Sequence, residues 1–273
     1  MPEQQHAPQG PAPATDIRYD LPQSARIWNY WMGGKDNFPI DRVAGDAVRA
    51  VNPGIVEVAR QSRQFLIRAV SLLAGELGIR QFLDVGTGLP TLQNTHEVAQ
   101  AIAPESKVVY VDNDPVVLAH ARALLTNTTP EGVTGYVNAD FNDPELIVAD
   151  ARNILNFTQP IAVMFMGVLG HVDDFEDMRA IVGRVLDTVP SGSYLLLWDS
   201  TSTSEDVLRG REMQAEQHIP YELRSVDELA QCFEGLELVE PGLVSITELR
   251  PSPAELGAFI TRVDAYGALG RKP

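Results

Sequence analysis

The sequence predicts an α/β protein built on a doubly wound, mostly parallel sheet, preceded by an N-terminal helical cap. Two observations carry this. From Gln81 onward, short apolar segments alternate with amphipathic stretches of helical spacing, the pattern of strands joined by crossover helices. The apolar segments are also nearly continuous rather than alternating, which fits strands buried on both faces.

The elements follow in order. Residues 1–15 are rich in Pro, Gln and Ala and are expected to be a disordered tail. Residues 16–79 form the cap. Within it, "SARIWNYWMGGKDNFPIDRVAGDAVRAVNPG" mixes short helical patterns with aromatics and is broken at Gly33-Gly34. Apolar residues at helical spacing then run from Ile55 to Leu77, and Gly78 stops them. Residues 80–273 are the sheet domain. Its strands are predicted as "QFLDVG", "KVVYVDND", "VTGYVNADF", "IAVMFMGVLG" and "SYLLLWDS". The helices between and after them are "TLQNTHEVAQAIA", "PVVLAHARALL", "DPELIVADARNIL", "DDFEDMRAIVGRVLDTV" and "SEDVLRGREMQAE". Ser225 to Glu228 has capping-box spacing and opens a short helix ending near Phe233. "GLELVEPGLVSI" and "DAYGALGRK" read as two further strands, separated by a connection around Pro251 and Pro253.

Composition narrows the function. A formal charge of −16 without a clustered basic stripe disfavours nucleic acid. No apolar run is long enough for a membrane helix, and the N-terminus lacks a secretory pattern. A lone cysteine, Cys232, excludes an internal disulfide. A cytoplasmic protein with a small-molecule partner is the expectation.

Gly86, Thr87 and Gly88 directly follow the first core strand, where doubly wound sheets bind ligands. Glycines there turn the chain tightly and let a ligand approach without meeting a Cβ. Pro90 suits a first helical position, and the following helix would direct its unpaired N–H groups at the same place. Asp112, with Asn113 beside it, ends the second strand where a carboxylate can accept from both ribose hydroxyls. Asp140 ends the third and can accept from an adenine amine, with Phe141 flanking the ring. A dinucleotide turn would favour a third glycine where Thr91 stands, and an apolar residue where Asp84 stands. Asp84 instead offers an anion to a cationic group, which favours S-adenosyl-L-methionine. A binding protein of regulatory role without turnover remains an alternative, as does an NAD(P)-dependent oxidoreductase.

Residues 80–273 resemble the class I S-adenosylmethionine-dependent methyltransferases, whose sheet is Rossmann-like and seven-stranded with an antiparallel last strand beside the fifth. "ARIWNYWMGGKDNFPIDR", "FLDVGTGLPTLQNTHEVAQ", "VVYVDNDPVVLAHARALL" and "GLELVEPGLV" are closer still to an uncharacterised bacterial group of S-adenosyl methyltransferases, a likeness extending from about Asp16 to the C-terminus. The resemblance implies a transferase that holds its cofactor at Asp84, Gly86, Gly88, Asp112, Asp140 and Phe141. The acceptor and the oligomeric state stay open.

His171, after the fourth strand, is either a base or contact for the acceptor or a structural histidine. Asn94 and His96 either brace loops or touch ligand, and His120 is expected to face solvent. Asp199 is present at the fifth strand end, but the fourth ends without an acid, so no metal is expected. Asp173 and Asp174 read as a helix start. Tyr30, Trp31 and Phe38 either fill the cap's own core or wall the acceptor site as a lid, with Lys35, Asp36 and Asn37 as polar contacts.

Overall fold

The structure is a computed structural model, and it describes residues 18–91, 93–124, 126–251 and 262–273. The tail predicted over 1–15 and the connection at Pro253 lie outside the described residues. The sheet strands are β1 (Gln81–Val85), β2 (Lys107–Asp112), β3 (Val133–Asn138), β4 (Ala162–Met166), β5 (Tyr194–Ser200), β6 (Glu237–Leu238), β7 (Val244–Ser245) and β8 (Ala265–Arg271). The helices are α1 (Ser24–Trp31), α2 (Pro39–Val51), α3 (Ile55–Gly75), α4 (Thr95–Ile102), α5 (Pro115–Leu124), α6 (Pro144–Ala151), α7 (Phe175–Leu186), α8 (Glu205–Glu216) and α9 (Val226–Gln231).

The strand order is β3-β2-β1-β4-β5-β8-β6, with β7 also paired to β8. Strands β1 to β5 are parallel, and β8 runs antiparallel beside β5. The order reverses between β1 and β4, so their carboxyl ends open a crevice there.

Side chains alternate across the sheet with the two-residue period of a strand. Phe82, Val108, Met164 and Leu196 face one core with Phe65, Ala69 and Leu73 of α3. Leu83, Val109, Val163 and Leu195 face the other, with Ile147 of α6 and Met178 and Val182 of α7. Helix α3 therefore belongs to the same packed core as the sheet it covers.

Three elements differ from the sequence expectation. Helix α4 starts at Thr95 rather than near Pro90. Its start is set by Asn94, whose N–H donates to the Glu97 carboxylate at 2.6 Å, a capping-box arrangement. The fourth strand stops at Met166 because Gly167 adopts φ 73°, and a 3-10 turn, Leu169–His171, follows. "GLELVEPGLVSI" is broken into β6 and β7, since Pro241 has no N–H to donate and Gly242 turns the chain at φ 87°. At Ser225 the predicted capping box is present, with Glu228 N–H donating to Ser225 Oγ at 3.1 Å and Ser225 N–H to Glu228 Oε2 at 2.7 Å.

A candidate cofactor and acceptor cavity

The crevice at the strand reversal holds a cavity of about 240 Å³, closed over by α1 and α3. Its floor is the turn Gly86–Gly88. Gly86 and Gly88 take φ values of 72° and 68°, in the left-handed region that favours glycine. A Cβ at Gly86 would lie 2.3 Å from Val168 Cγ2, whereas one at Gly88 would meet nothing and project into open space. The N–H groups of Gly86 and Thr87 donate to Val111 O at 2.9 and 3.1 Å. Gly88 N–H donates to Asp112 Oδ2 at 2.9 Å, and Asp114 N–H to Asp112 Oδ1 at 2.9 Å. Asp112 thus ties the glycine turn to the end of β2 while lining the cavity. Burial pushes its carboxyl up to about 6, against those backbone donors.

Asp84 is buried at the same end and accepts from Thr95 Oγ1 at 2.7 Å. Burial raises its carboxyl to about 6, partly offset by the Thr95 hydrogen bond and by the charge of Arg63. Arg63 lines the cavity from α3, and its Nε is buried with no hydrogen-bond partner among the described residues. The guanidinium's Nη1 reaches Gln93 O, at 3.5 Å. Asp140 is not in the cavity wall. Its Oδ2 accepts from Asn113 Nδ2 at 2.6 Å, its Oδ1 accepts from Asn142, and Asn113, Ala139 and Phe141 do the lining.

His171 lines the same cavity from the 3-10 turn after β4. Its Nδ1 lies 2.9 Å from Pro220 O, a group that only accepts, so Nδ1 carries the proton. Nε2 is then the bare nitrogen, and it accepts from Ser24 Oγ of α1 at 2.9 Å. Burial pushes the imidazole pKa down, with the Pro220 carbonyl opposing it. Tyr221 packs edge-on against the ring at 5.0 Å and donates its hydroxyl to Asp199. Asp199 is fully buried behind it, also accepting from Gly170 N–H at 3.1 Å and Ser200 N–H at 2.9 Å, and burial raises it to about 6. Its carboxylate is therefore committed to protein donors.

Of the six lid residues named from the sequence, only Trp31 lines the cavity; Tyr30, Lys35, Asp36, Asn37 and Phe38 do not. Helical phase explains the contrast within α1. Ser24, Trp28, Trp31 and Met32 recur at the spacing of one helix face and do line it, while Tyr30 is turned about 200° away from Trp28. Tyr30 donates to Asp46 Oδ1 at 2.9 Å. Asn37 is buried against Asn29 and Gly34, Lys35 is exposed, and Phe38 packs on Tyr19 under Arg26. A buried Arg26–Asp41 ion pair of 2.8 Å joins α1 to the start of α2. Asp36 lies outside the wall, 3.6 Å from His120 Nε2, and the His120 side chain is 32% exposed. His96 braces the core through Tyr110 Oη at 2.9 Å, while Asn94 lines the cavity. Asp174 caps α7, accepting from Glu176 and Asp177 N–H.

Arg63, Trp198, Tyr221 and Ser24 were not singled out from the sequence as site residues. Arg63 was detectable as a cation within the apolar stripe Ile55, Val58, Ser62 and Leu66, all of which line the cavity. Trp198 was hidden inside the apolar run of β5, and nothing local marks Tyr221.

A turn of backbone facing open space, a carboxylate at the next strand end and a strand order with an antiparallel insertion define an α/β protein of the methyltransferase type. A family profile described as S-adenosyl methyltransferase matches residues 11–273. The chain belongs to that family, and S-adenosylmethionine is its cofactor. A DUF574-family protein from Streptomyces avermitilis is 44% identical, with 94% of this chain and 100% of that one covered and a TM-score of 0.89. A candidate methyltransferase from Thermobifida fusca is 38% identical over 93% of this chain and 97% of that one, with a TM-score of 0.83. An O-methyltransferase family protein from Burkholderia thailandensis shares the fold at 17% identity and a TM-score of 0.50, over 77% of this chain and 55% of that one. No curated protein matches the sequence. Among the described residues, no helix is long and apolar enough to cross a membrane.

Proposed function

We propose that the protein transfers the methyl group of S-adenosylmethionine to a small-molecule acceptor, with His171 as the base that receives the acceptor's proton. The observation that carries this reading is a single cavity joining Gly88, Asp112 and Phe141 to the bare Nε2 of His171. The cofactor fits the residues present. The open space over Gly88 leaves room for it. Asp112 offers carboxylate lone pairs to the ribose hydroxyls, and Phe141 and Ala139 flank the adenine with Asn113 beside them. Arg63 has an orphaned buried donor suited to a carboxylate. Asp84 is a buried carboxylate with no cation within ion-pair distance among the described residues, suited to an ammonium.

When bound, the cofactor supplies a methyl group on a sulfonium, a good leaving group, so positioning provides most of the acceleration. The chain's own work is then of three kinds. The β1, β2 and β3 ends hold and orient the nucleoside. The α1 face excludes water with Trp28 and Trp31. His171 Nε2 takes a proton, its ring fixed by Pro220 O and by the Tyr221 edge.

Calorimetry and mass spectrometry test the reading together. S-adenosylhomocysteine should bind, NAD and ATP should bind far more weakly, and candidate acceptors should gain a methyl group. Tight NAD binding would favour an oxidoreductase. Cofactor binding with no turnover on any acceptor would favour a regulatory binder.

A further inference from the structure

At the acceptor end, the groups that meet a ligand are a bare imidazole nitrogen, a set of indole faces and an indole N–H. Nε2 of His171 already holds a hydroxyl, that of Ser24, at 2.9 Å. Ser24 occupies the place an incoming hydroxyl would take. Beside it, Trp28 and Trp198 stack at 5.9 Å with planes 29° apart, and Trp31 meets Trp28 edge-on at 5.7 Å. All three line the cavity, and such surfaces favour planar rings through offset stacking.

Trp198 is 2% exposed, and its Nε1–H has no partner among the described residues. A buried donor left unpaired is costly, so a ligand oxygen near it would be gained by binding. The charges in the wall are lopsided. Arg63 is its only Arg or Lys among the described residues, against Asp84, Asp112, Asp114 and Asp264. Arg63 also stands near Asp84, whose charge its own supports. An anionic acceptor would therefore enter a wall of four carboxylates whose one cation is already placed on the cofactor's carboxylate.

We infer that the acceptor is an uncharged, planar aromatic molecule bearing a hydroxyl, which is presented to His171 Nε2 while the ring lies against the Trp28–Trp198 wall. This rests on the cofactor assignment above and deepens it. The hydroxyl replaces Ser24 on Nε2 and donates its proton there, and a second oxygen on the ring system accepts from Trp198 Nε1.

The test uses the full chain saturated with S-adenosylhomocysteine at neutral pH. Four probes of shared skeleton are titrated calorimetrically: naphthol, naphthoate, naphthylmethylamine and decahydronaphthol. Naphthol should bind at least about tenfold more tightly than each of the others. The chain's three tryptophans all line the cavity, so naphthol should also quench their emission. His171→Ala should weaken naphthol by about tenfold and leave the S-adenosylhomocysteine titration unchanged. Trp28→Leu should weaken naphthol similarly, and Trp28→Phe should restore it. Preference for naphthoate, the amine or the saturated alcohol, or binding of none of the four to a cofactor-loaded protein, overturns the inference. Failure of S-adenosylhomocysteine itself to bind would instead strike at the cofactor assignment.

Discussion

Replacing Arg63 by Met separates the role of its charge from the role of its bulk. Arg63 lines the cavity from α3 with Ser62 and Leu66, and Met preserves much of its stem volume. Its head has no ion-pair partner among the described residues, and Nε is orphaned. Burial works against the guanidinium's charge, with Asp84, Tyr110 and Glu97 supporting it at longer range. The free protein therefore loses little, and the thermal midpoint should stay within about 2 °C of wild type. A bound ligand carboxylate loses a charge-assisted hydrogen bond, roughly 1.5–3 kcal/mol, or about 10- to 150-fold in affinity. Calorimetry with two ligands isolates the effect. S-adenosylhomocysteine carries the amino-acid end and should lose that affinity. Methylthioadenosine lacks it and should bind both proteins alike. Equal losses for the two ligands would mean that Arg63 shapes the cavity rather than meeting a carboxylate. No loss for either would place the carboxylate elsewhere.

Asp112→Ala should weaken S-adenosylhomocysteine by about 1–3 kcal/mol and also lower the melting temperature, because Gly88 and Asp114 N–H lose their acceptor; unchanged affinity in a folded variant rejects the ribose assignment. Cofactor binding near pH 6 should release protons, seen as a binding enthalpy that varies with buffer ionisation heat. Asp84 and Asp112 are raised from 3.8 to about 6 in the free protein, and a ligand ammonium and ribose hydroxyls favour their charged forms. Between those values the folded chain binds more protons than the unfolded one through these groups, so they reduce stability as pH rises across the window and ligand offsets the loss. Binding without proton release near pH 6 contradicts this. The rate should rise with pH through a midpoint below 6.5 and then level off, since burial lowers His171 from 6.5 and its neutral form is the base. His171→Ala should lower turnover by ~10²-fold or more with cofactor affinity intact; equal turnover returns His171 to a bracing role.

The fold was legible because strand and helix periodicity survives in each segment of the sheet domain. Where it failed, a local signal had outranked an apparent one. Pro90 looked like a helix start, yet the Asn94–Glu97 box lies four residues on and decides the boundary. The cofactor end was legible for a similar reason. Gly86, Gly88 and Asp112 line the cavity from strand ends, which sequence spacing reports directly. Asp140 turns its carboxylate to Asn113 and Asn142 while its neighbours Ala139 and Phe141 line the cavity, a one-residue distinction that spacing does not report. The acceptor end was largely hidden. His171 is held by residues 147 and 49 positions away, Ser24 and Pro220, and no short motif encodes such a meeting. In the cap, the aromatics were visible but the phase of α1 was not applied, which put Tyr30 in a wall that Trp28 and Met32 form, while Phe38 sits at the cap of α2 against Tyr19.

A crystal structure of the full chain with S-adenosylhomocysteine tests the central claim most directly. The account predicts ligand density over Gly86–Gly88, with both ribose hydroxyls within hydrogen-bond reach of Asp112, the adenine against Phe141 and the carboxylate on Arg63. The sulfur should point toward the space beside His171 and Trp28. Density elsewhere on the protein, or a ligand in the cavity with its sulfur turned away from His171, would contradict it.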